Sequence, residues 1–237
     1  MTAQLQSFPN GGLAVVFGAS GGIGHAVQTA LVKSGQFEQV LGLSRAAGDF
    51  DLTDEASIAG AADRIVEIGL PLRLVVVATG LLHDDTMQPE KSWRHLDADN
   101  LARSFAINAT GPALLAKHLL PLLPRHGKAV FAAISAKVGS IGDNHLGGWY
   151  GYRAAKAALN QLLHTAAIEL RRNRPEAICV PMHPGTVATT LSAPFGNNAY
   201  TPVPPEAAAD GLLCVIERLR PIESGQLLDH TGLPLPW

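Results

Sequence analysis

Tyr152 and Lys156 stand four residues apart, a spacing that puts both on one face of a helix. An ammonium beside a phenol favours the phenolate and lowers the phenol pKa from its usual value of about 10. Such a phenol can protonate a carbonyl oxygen during reduction and take the proton back in the reverse direction. Tyr150 has Ala154 at the matching distance, so Tyr152 alone forms the pair. By itself the pattern often arises by chance, and it needs a second feature beside it.

That feature is Gly18-Ala19-Ser20-Gly21-Gly22-Ile23-Gly24, which follows the apolar run Leu13 to Phe17 and opens a helical pattern. Glycines at 18, 22 and 24 leave the backbone bare where a pyrophosphate would meet the first amides of a helix. The stretch predicts a dinucleotide site, with Gly18, Ser20, Gly22, Ile23 and Gly24 in contact. The second apolar run ends in Ser44-Arg45, where an NAD site usually carries an acid for the ribose hydroxyl. A hydroxyl and a guanidinium suit a 2′-phosphate instead, because the arginine fork matches phosphate oxygens. Ser44 and Arg45 therefore predict NADP over NAD.

Elements of alternating type must hold these residues. Strand patterns occupy Leu13 to Phe17, Val40 to Leu43, Leu72 to Ala78, Ala129 to Ile134, Ala177 to Met182 and Gln226 to Asp229. Helical patterns run between them. The first is Ile23 to Ser34, ended by Gly35, and the second Asp54 to Ile68, capped by Thr53 or Asp54. Asn100 to Leu120 follows, interrupted at Gly111-Pro112, then Tyr152 to Arg171 and Glu206 to Arg218. This order predicts an α/β fold: a single Rossmann-type domain over residues 1–237, with a doubly wound, mainly parallel sheet and helices on both faces. Only Ala46 to Asp49 separate Arg45 from Phe50, too few for a crossover. Asp49 to Leu52 is therefore expected as a loop or frayed edge.

The composition excludes several classes. A formal charge of −2 gives no field for nucleic acid or an anionic membrane. No apolar run approaches the roughly 18 residues of a membrane span, and Met1 to Asn10 lacks a leader pattern, so the expected location is cytoplasmic. Cys179 and Cys214 are expected as two buried free thiols. The nine histidines show no metal-ligand spacing, and no metal site is expected.

In sequence order these motifs resemble the short-chain dehydrogenase/reductase family across almost the whole chain. Gly139-Ser140-Ile141, the run Gly147 to Tyr152 and the Leu-Pro-Trp ending look most like its C-factor and sniffer-type carbonyl reductase branch. The resemblance implies adenine contacts at Asp51-Leu52, and cofactor contacts at Ala78-Thr79-Gly80, where the family often has Asn-Ala-Gly. It implies further contacts at Pro184-Gly185, and a carboxamide held by Val187 and Thr189. It also gives Lys156 the nicotinamide ribose and has Asn108 position Lys156 through a water. Phe17 departs from the family's threonine, and Thr79 interrupts its Asn-Ala-Gly pattern. The main departure is Ile134-Ser135-Ala136, where the family often reads Ile-Ser-Ser and uses the second serine to polarise the carbonyl. Three arrangements are open: the strand end bends to present Ser135, Ser140 substitutes, or the site works without a serine. Ser135 is the residue assigned here.

Two functions compete. One is an NADP-dependent oxidoreductase that moves a hydride between nicotinamide and a small carbonyl or secondary alcohol, with the protein supplying orientation and a proton. The other is a nucleotide-binding signalling or scaffold protein of the same fold with little turnover. The loop near 189–205, carrying Phe195 and Tyr200, is expected to cover the substrate; for His83, His145 and Trp149 a structural or surface role is expected ahead of an approach to the pocket. From Ala154 to Ile168, ten of fifteen residues are apolar. That is more than one packed stripe needs, and it predicts a homodimer or homotetramer built on this helix.

Overall fold

The structure, a computed structural model, describes residues 4–48, 50–195 and 201–237. Asp49 and Tyr200 lie outside the described residues. Five strands form one parallel sheet in the order β2-β1-β3-β4-β5: β1 Leu13–Phe17, β2 Gln39–Leu43, β3 Leu72–Val77, β4 Ala129–Ile134 and β5 Ala177–Met182. The helices are α1 Gly22–Ser34, α2 Glu55–Glu67, α3 Ala98–Phe105, α4 Gly111–Leu119, α5 Tyr150–Asn173 and α6 Pro205–Arg218.

Each strand alternates between two cores, which is why its sequence is apolar throughout. Leu13, Val15, Phe17, Val75, Phe131 and Ala133 face α2, α4 and α5, through Ile58, Leu115, Leu159 and Leu163. Ala14, Val16, Leu74, Val76, Val130, Ala132 and Val180 face α1 and α6, through Val27, Leu31, Leu212 and Leu213. The chain leaves β1 for β2 on one side and returns to β3 on the other. The loops after β1 and β3 therefore diverge, opening a crevice at the carboxyl ends of the strands.

Three expectations are corrected. Gln226 to Asp229 does not form a strand; Leu228 makes single bridges to Met182 and Pro234. Beside it Pro181 has no N–H to donate, and the Cys179 N–H is taken by Ser224 Oγ at 3.0 Å, so a regular ladder cannot run along that edge. The helical stretch before β4 is not kinked at Gly111-Pro112: a π-helical turn, Ala106–Thr110, joins α3 to α4. Pro112 falls in the first turn of α4, where its missing N–H matters little. Cys179 is buried, but Cys214 lies on the outward side of α6 and is exposed; both are free.

Other local signals act as read. Asp54 caps α2 by accepting from Ala56 N at 3.0 Å, and Gly35 ends α1 with φ 64°. Phe50 to Thr53 crosses as an irregular segment, with the Phe50 ring 4.9 Å from Phe17. Among the described residues, no helix is long and apolar enough to cross a membrane.

Close backbone contact divides the glycines into two kinds. A Cβ on Gly24 would lie 2.2 Å from Gly18 O, whereas one on Gly60, exposed in α2, would meet nothing within 4 Å. Gly24→Ala should cost at least about 1–3 kcal/mol of unfolding free energy in a urea titration, as overpacking does. Gly60→Ala should gain roughly 0.5–1 kcal/mol, the helix-propensity difference.

Candidate active site

The turn after β1 lies against the turn after β3. Gly18 has φ 82°, and a Cβ there would sit 3.0 Å from the Ala78 carbonyl. A Cβ on Gly22 would sit 3.0 Å from Thr189 Cγ2, so the loop after β5 also reaches the start of α1. That helix has no side-chain cap and no acidic residue in its first turn. Its leading amides and the positive end of its dipole are thus aimed into the crevice. Ser20 is exposed beside them and Ile23 half-buried.

After β2, Ser44 Oγ accepts from Ala47 N at 3.3 Å and caps a short 3₁₀ turn that presents Arg45 to solvent. Asp51 accepts from Thr53 N at 2.8 Å and Thr53 Oγ1 at 2.7 Å. Those two bonds, with a smaller contribution from the Arg45 charge, hold its carboxyl below the usual range. Leu52 is buried directly under Gly111, where a Cβ would come within 2.4 Å of Leu52 Cγ.

Gly80 is the point where the other groups converge. A Cβ there would lie 3.5 Å from Asn108 Oδ1, 3.8 Å from Leu191 Cδ1 and 4.0 Å from Lys156 Nζ. Asn108 sits in the π-helical turn, fully buried, and grips Leu81 twice: Nδ2 donates to Leu81 O at 2.7 Å, and Oδ1 accepts from Leu81 N at 3.0 Å. The loop after β3 is pinned by this pair. Next to Gly80, Thr79 Oγ1 is buried without a hydrogen-bond partner among the described residues. A buried hydroxyl left unsatisfied is costly unless something else supplies its partner.

Lys156 is 1% exposed, and Nζ donates to Ile134 O at 2.8 Å. Nζ lies 5.8 Å from the centre of the Tyr152 ring. Burial pushes Lys156 down to about 7 and Tyr152 up to about 12. The expected lowering of the phenol is therefore corrected. Exclusion of water from both groups outweighs the attraction of a cation already bonded to a carbonyl.

The bend proposed for Ser135 is also absent. Ser135 N donates to Met182 O at 2.7 Å, continuing the strand pattern, and Oγ donates to Asn160 Oδ1 at 2.6 Å. Asn160 lies one turn beyond Lys156 on α5, so this hydroxyl is spent in the interior, 2% exposed. Ser140, 1% exposed, accepts from Asp143 N at 3.1 Å within its own loop. Two residues past the end of β4, Ala136 is half-buried.

The loop after β5 is sewn by a residue the sequence reading missed. Ser192 Oγ donates to Val187 O and accepts from Thr189 N at 3.1 Å. A short polar side chain in an aperiodic loop gives no signal in advance. Pro184 is buried, and Gly185, with φ 80°, packs on His230. Over Tyr152 the rings form a chain. Trp149 meets Tyr152 at 6.4 Å and Phe195 at 5.2 Å, and Phe195 meets His83 at 5.3 Å. His83 Nε2 lies 3.2 Å from Thr190 O, which ties the β3 and β5 loops together. His145 is exposed before α5, outside this ring chain.

A family model described as short chain dehydrogenase matches residues 12–199. A 1-hydroxy-2-glutathionyl-2-methyl-3-butene dehydrogenase from Rhodococcus sp. (strain AD45) is 32% identical over 236 residues, covering 94% of this chain and 98% of its own. C-signal of Myxococcus xanthus is 36% identical over 143 residues, covering 60% of this chain and 81% of its own. Among solved structures, NADPH-bound carbonyl reductase from chicken fatty liver superposes with a TM-score of 0.82 at 24% identity, over 99% of this chain and 98% of that one. Carbonyl reductase Sniffer of D. melanogaster gives 0.80 at 21%, over 97% and 100%; at these identities the likeness is one of fold. The family model runs through the glycine turn, Asn108, Tyr152 and Lys156, and the Rhodococcus relative is matched along nearly its whole length; the chain belongs to the short chain dehydrogenase family of oxidoreductases.

Proposed function

We propose that this chain is an NADP-dependent oxidoreductase acting on a small carbonyl or secondary alcohol, with Tyr152 as proton donor and acceptor. The observation that carries the reading is the convergence of Lys156, Asn108 and Gly80 beside Tyr152, in a crevice into which an uncapped helix N-terminus points. The residues present fit a dinucleotide: bare backbone at Gly18, Gly22 and Gly24, free leading amides on α1, and the orphaned Thr79 hydroxyl. Ser20, Ile23, Ser44, Arg45, Asp51, Leu52, Ala78, Pro184, Gly185, Val187 and Thr189 would complete its cradle. When bound, nicotinamide gives or takes the hydride.

Tyr152 gives its proton to the carbonyl oxygen, and a phenol kept protonated by burial is suited to donating one. Lys156 holds its proton against Ile134 O and is placed to bind ribose hydroxyls; Asn108 keeps the Gly80 loop in register with both. With Ser135 and Ser140 turned to internal bonds, Tyr152 polarises the carbonyl without a serine. We further propose one domain over residues 1–237 with the loop near 189–205 covering the substrate, a cytoplasmic location, and no nucleic-acid or membrane partner. Leu162 and Ile168, 44% and 51% exposed on the outer face of α5, support a homodimer or homotetramer. A signalling or scaffold role is the second reading, favoured by the identity to C-signal. Oxidation of NADPH with a panel of aldehydes and ketones decides between them: no turnover on any compound would favour the scaffold.

Three outcomes test the assignments. NADPH should bind more tightly than NADH in a fluorescence titration, and Arg45→Ala should reduce that preference roughly ten- to a hundredfold, as loss of a charge-assisted phosphate contact does; equal affinities in the wild type would remove the NADP assignment. Tyr152→Phe should lower kcat by about 10²–10⁴ with NADPH affinity unchanged, while Lys156→Ala lowers both. Ser135→Ala should leave kcat within a few fold but cost about 1–3 kcal/mol in urea unfolding, because Asn160 Oδ1 loses its donor.

A further inference from the structure

Glu90 is buried, 7% exposed, and with Lys156 it makes up the buried charged side chains among the described residues. It comes from the loop after β3 and meets the start of α5 twice. Trp149 N donates to Glu90 O at 2.5 Å, and Gly151 N donates to Glu90 Oε2 at 3.1 Å. The first residue of that cap, Trp149, offers no side-chain bond to its own helix, so a carboxylate from elsewhere satisfies the amide and meets the positive helix end. The seat exists because residue 151 is glycine. A Cβ there would lie 2.9 Å from Glu90 Oε1 and 3.4 Å from Leu101 Cδ2.

The turn being held is a strained one. Gly147, Gly148 and Trp149 have φ of 65°, 66° and 53°, and Trp149 is the sole non-glycine with positive φ among the described residues. Such a conformation persists only where its surroundings over-determine it, and outliers of this kind cluster at functional sites. Arg153 Nε staples the other side by donating to Gly148 O at 3.0 Å. The result is that Tyr152 follows directly on the clamped Gly151, while the Trp149 ring stands edge-on between Tyr152 and Phe195.

We propose that Glu90 is a positioning residue that sets the first turn of α5, and through it the aim of Tyr152 and the Trp149 wall. Its effect on turnover rests on the assignment of Tyr152 as proton donor. The test compares Glu90→Ala, Glu90→Gln and Glu90→Asp in the full chain by amide hydrogen exchange, and by kcat, KM and NADPH affinity with the most active compound of the carbonyl panel. In Glu90→Ala, amides 149–153 should exchange at least tenfold faster while those of 159–170 keep their rates. kcat should fall at least tenfold, with NADPH affinity within twofold of wild type. Glu90→Gln, which still offers an oxygen to Gly151 N, should recover most of both effects. Glu90→Asp, one methylene short, should resemble alanine, and it replaces Glu90→Ala if the latter fails to fold. Unchanged exchange, faster exchange with unchanged kcat, or loss of protection along all of α5 together with NADPH binding would each overturn the proposal. If wild type turns over no compound, the oxidoreductase reading fails, and the exchange rates alone decide whether Glu90 sets the turn.

Discussion

Lys156 carries an ammonium into the interior and donates to the carbonyl that ends β4. Taking such a charge from water costs several kcal/mol unless it is well paired. The neighbourhood is built around that cost. Gly139 has no side chain because a Cβ would stand 2.8 Å from Lys156 Cβ, so the turn after β4 lies flat on α5. One helical turn on, Asn160 accepts from Ser135, fixing the same two elements a second time. The sign of the linkage follows from a pKa depressed to about 7 from the ordinary lysine value of 10.5. The burial cost is fully felt below pH 7 and is relieved as pH rises through that window, where the unfolded chain holds the extra proton.

From this contact the rest of the crevice takes its geometry. The β1 and β3 loops diverge at the reversal of strand order, which leaves room for a ligand, and Asn108 then pins the β3 loop back toward Lys156. It can do so because the chain there adopts a π-helical turn, the kind of local widening often found at functional sites. In the β3 loop, Thr79 Oγ1 is buried with no hydrogen-bond partner among the described residues. Polar groups lacking partners are rare in a folded interior, and here the lack lies where a dinucleotide would run.

Side-chain parity explains the outcome at Ser135. Ala129, Phe131 and Ala133 face α5, so the next residue of that parity is 135, which meets Asn160. That much was legible from strand alternation, which turns residue 135 toward α5 where the strand stays regular. The pKa of Tyr152 was not legible. Spacing placed a cation near the phenol, but the sign of the shift depends on how much water both groups lose, and that is a property of the packed state.

Local signals in the chain were sufficient for the order of elements, the parallel sheet, the caps at Gly35 and Asp54, the glycine turn and the Tyr152–Lys156 pair. Each rests on interactions between residues close in sequence, or on the period with which apolar side chains repeat. Glu90 and Ser192 gave no such signal. The role of Glu90 comes from its contact with Gly151, distant along the chain, and that of Ser192 from bonds inside an aperiodic loop. Nor could sequence show that Gln226 to Asp229 fails as a strand or that Cys214 faces outward. Those outcomes depend on which neighbour offers a donor and which side of a helix meets the sheet, and only the folded chain decides either.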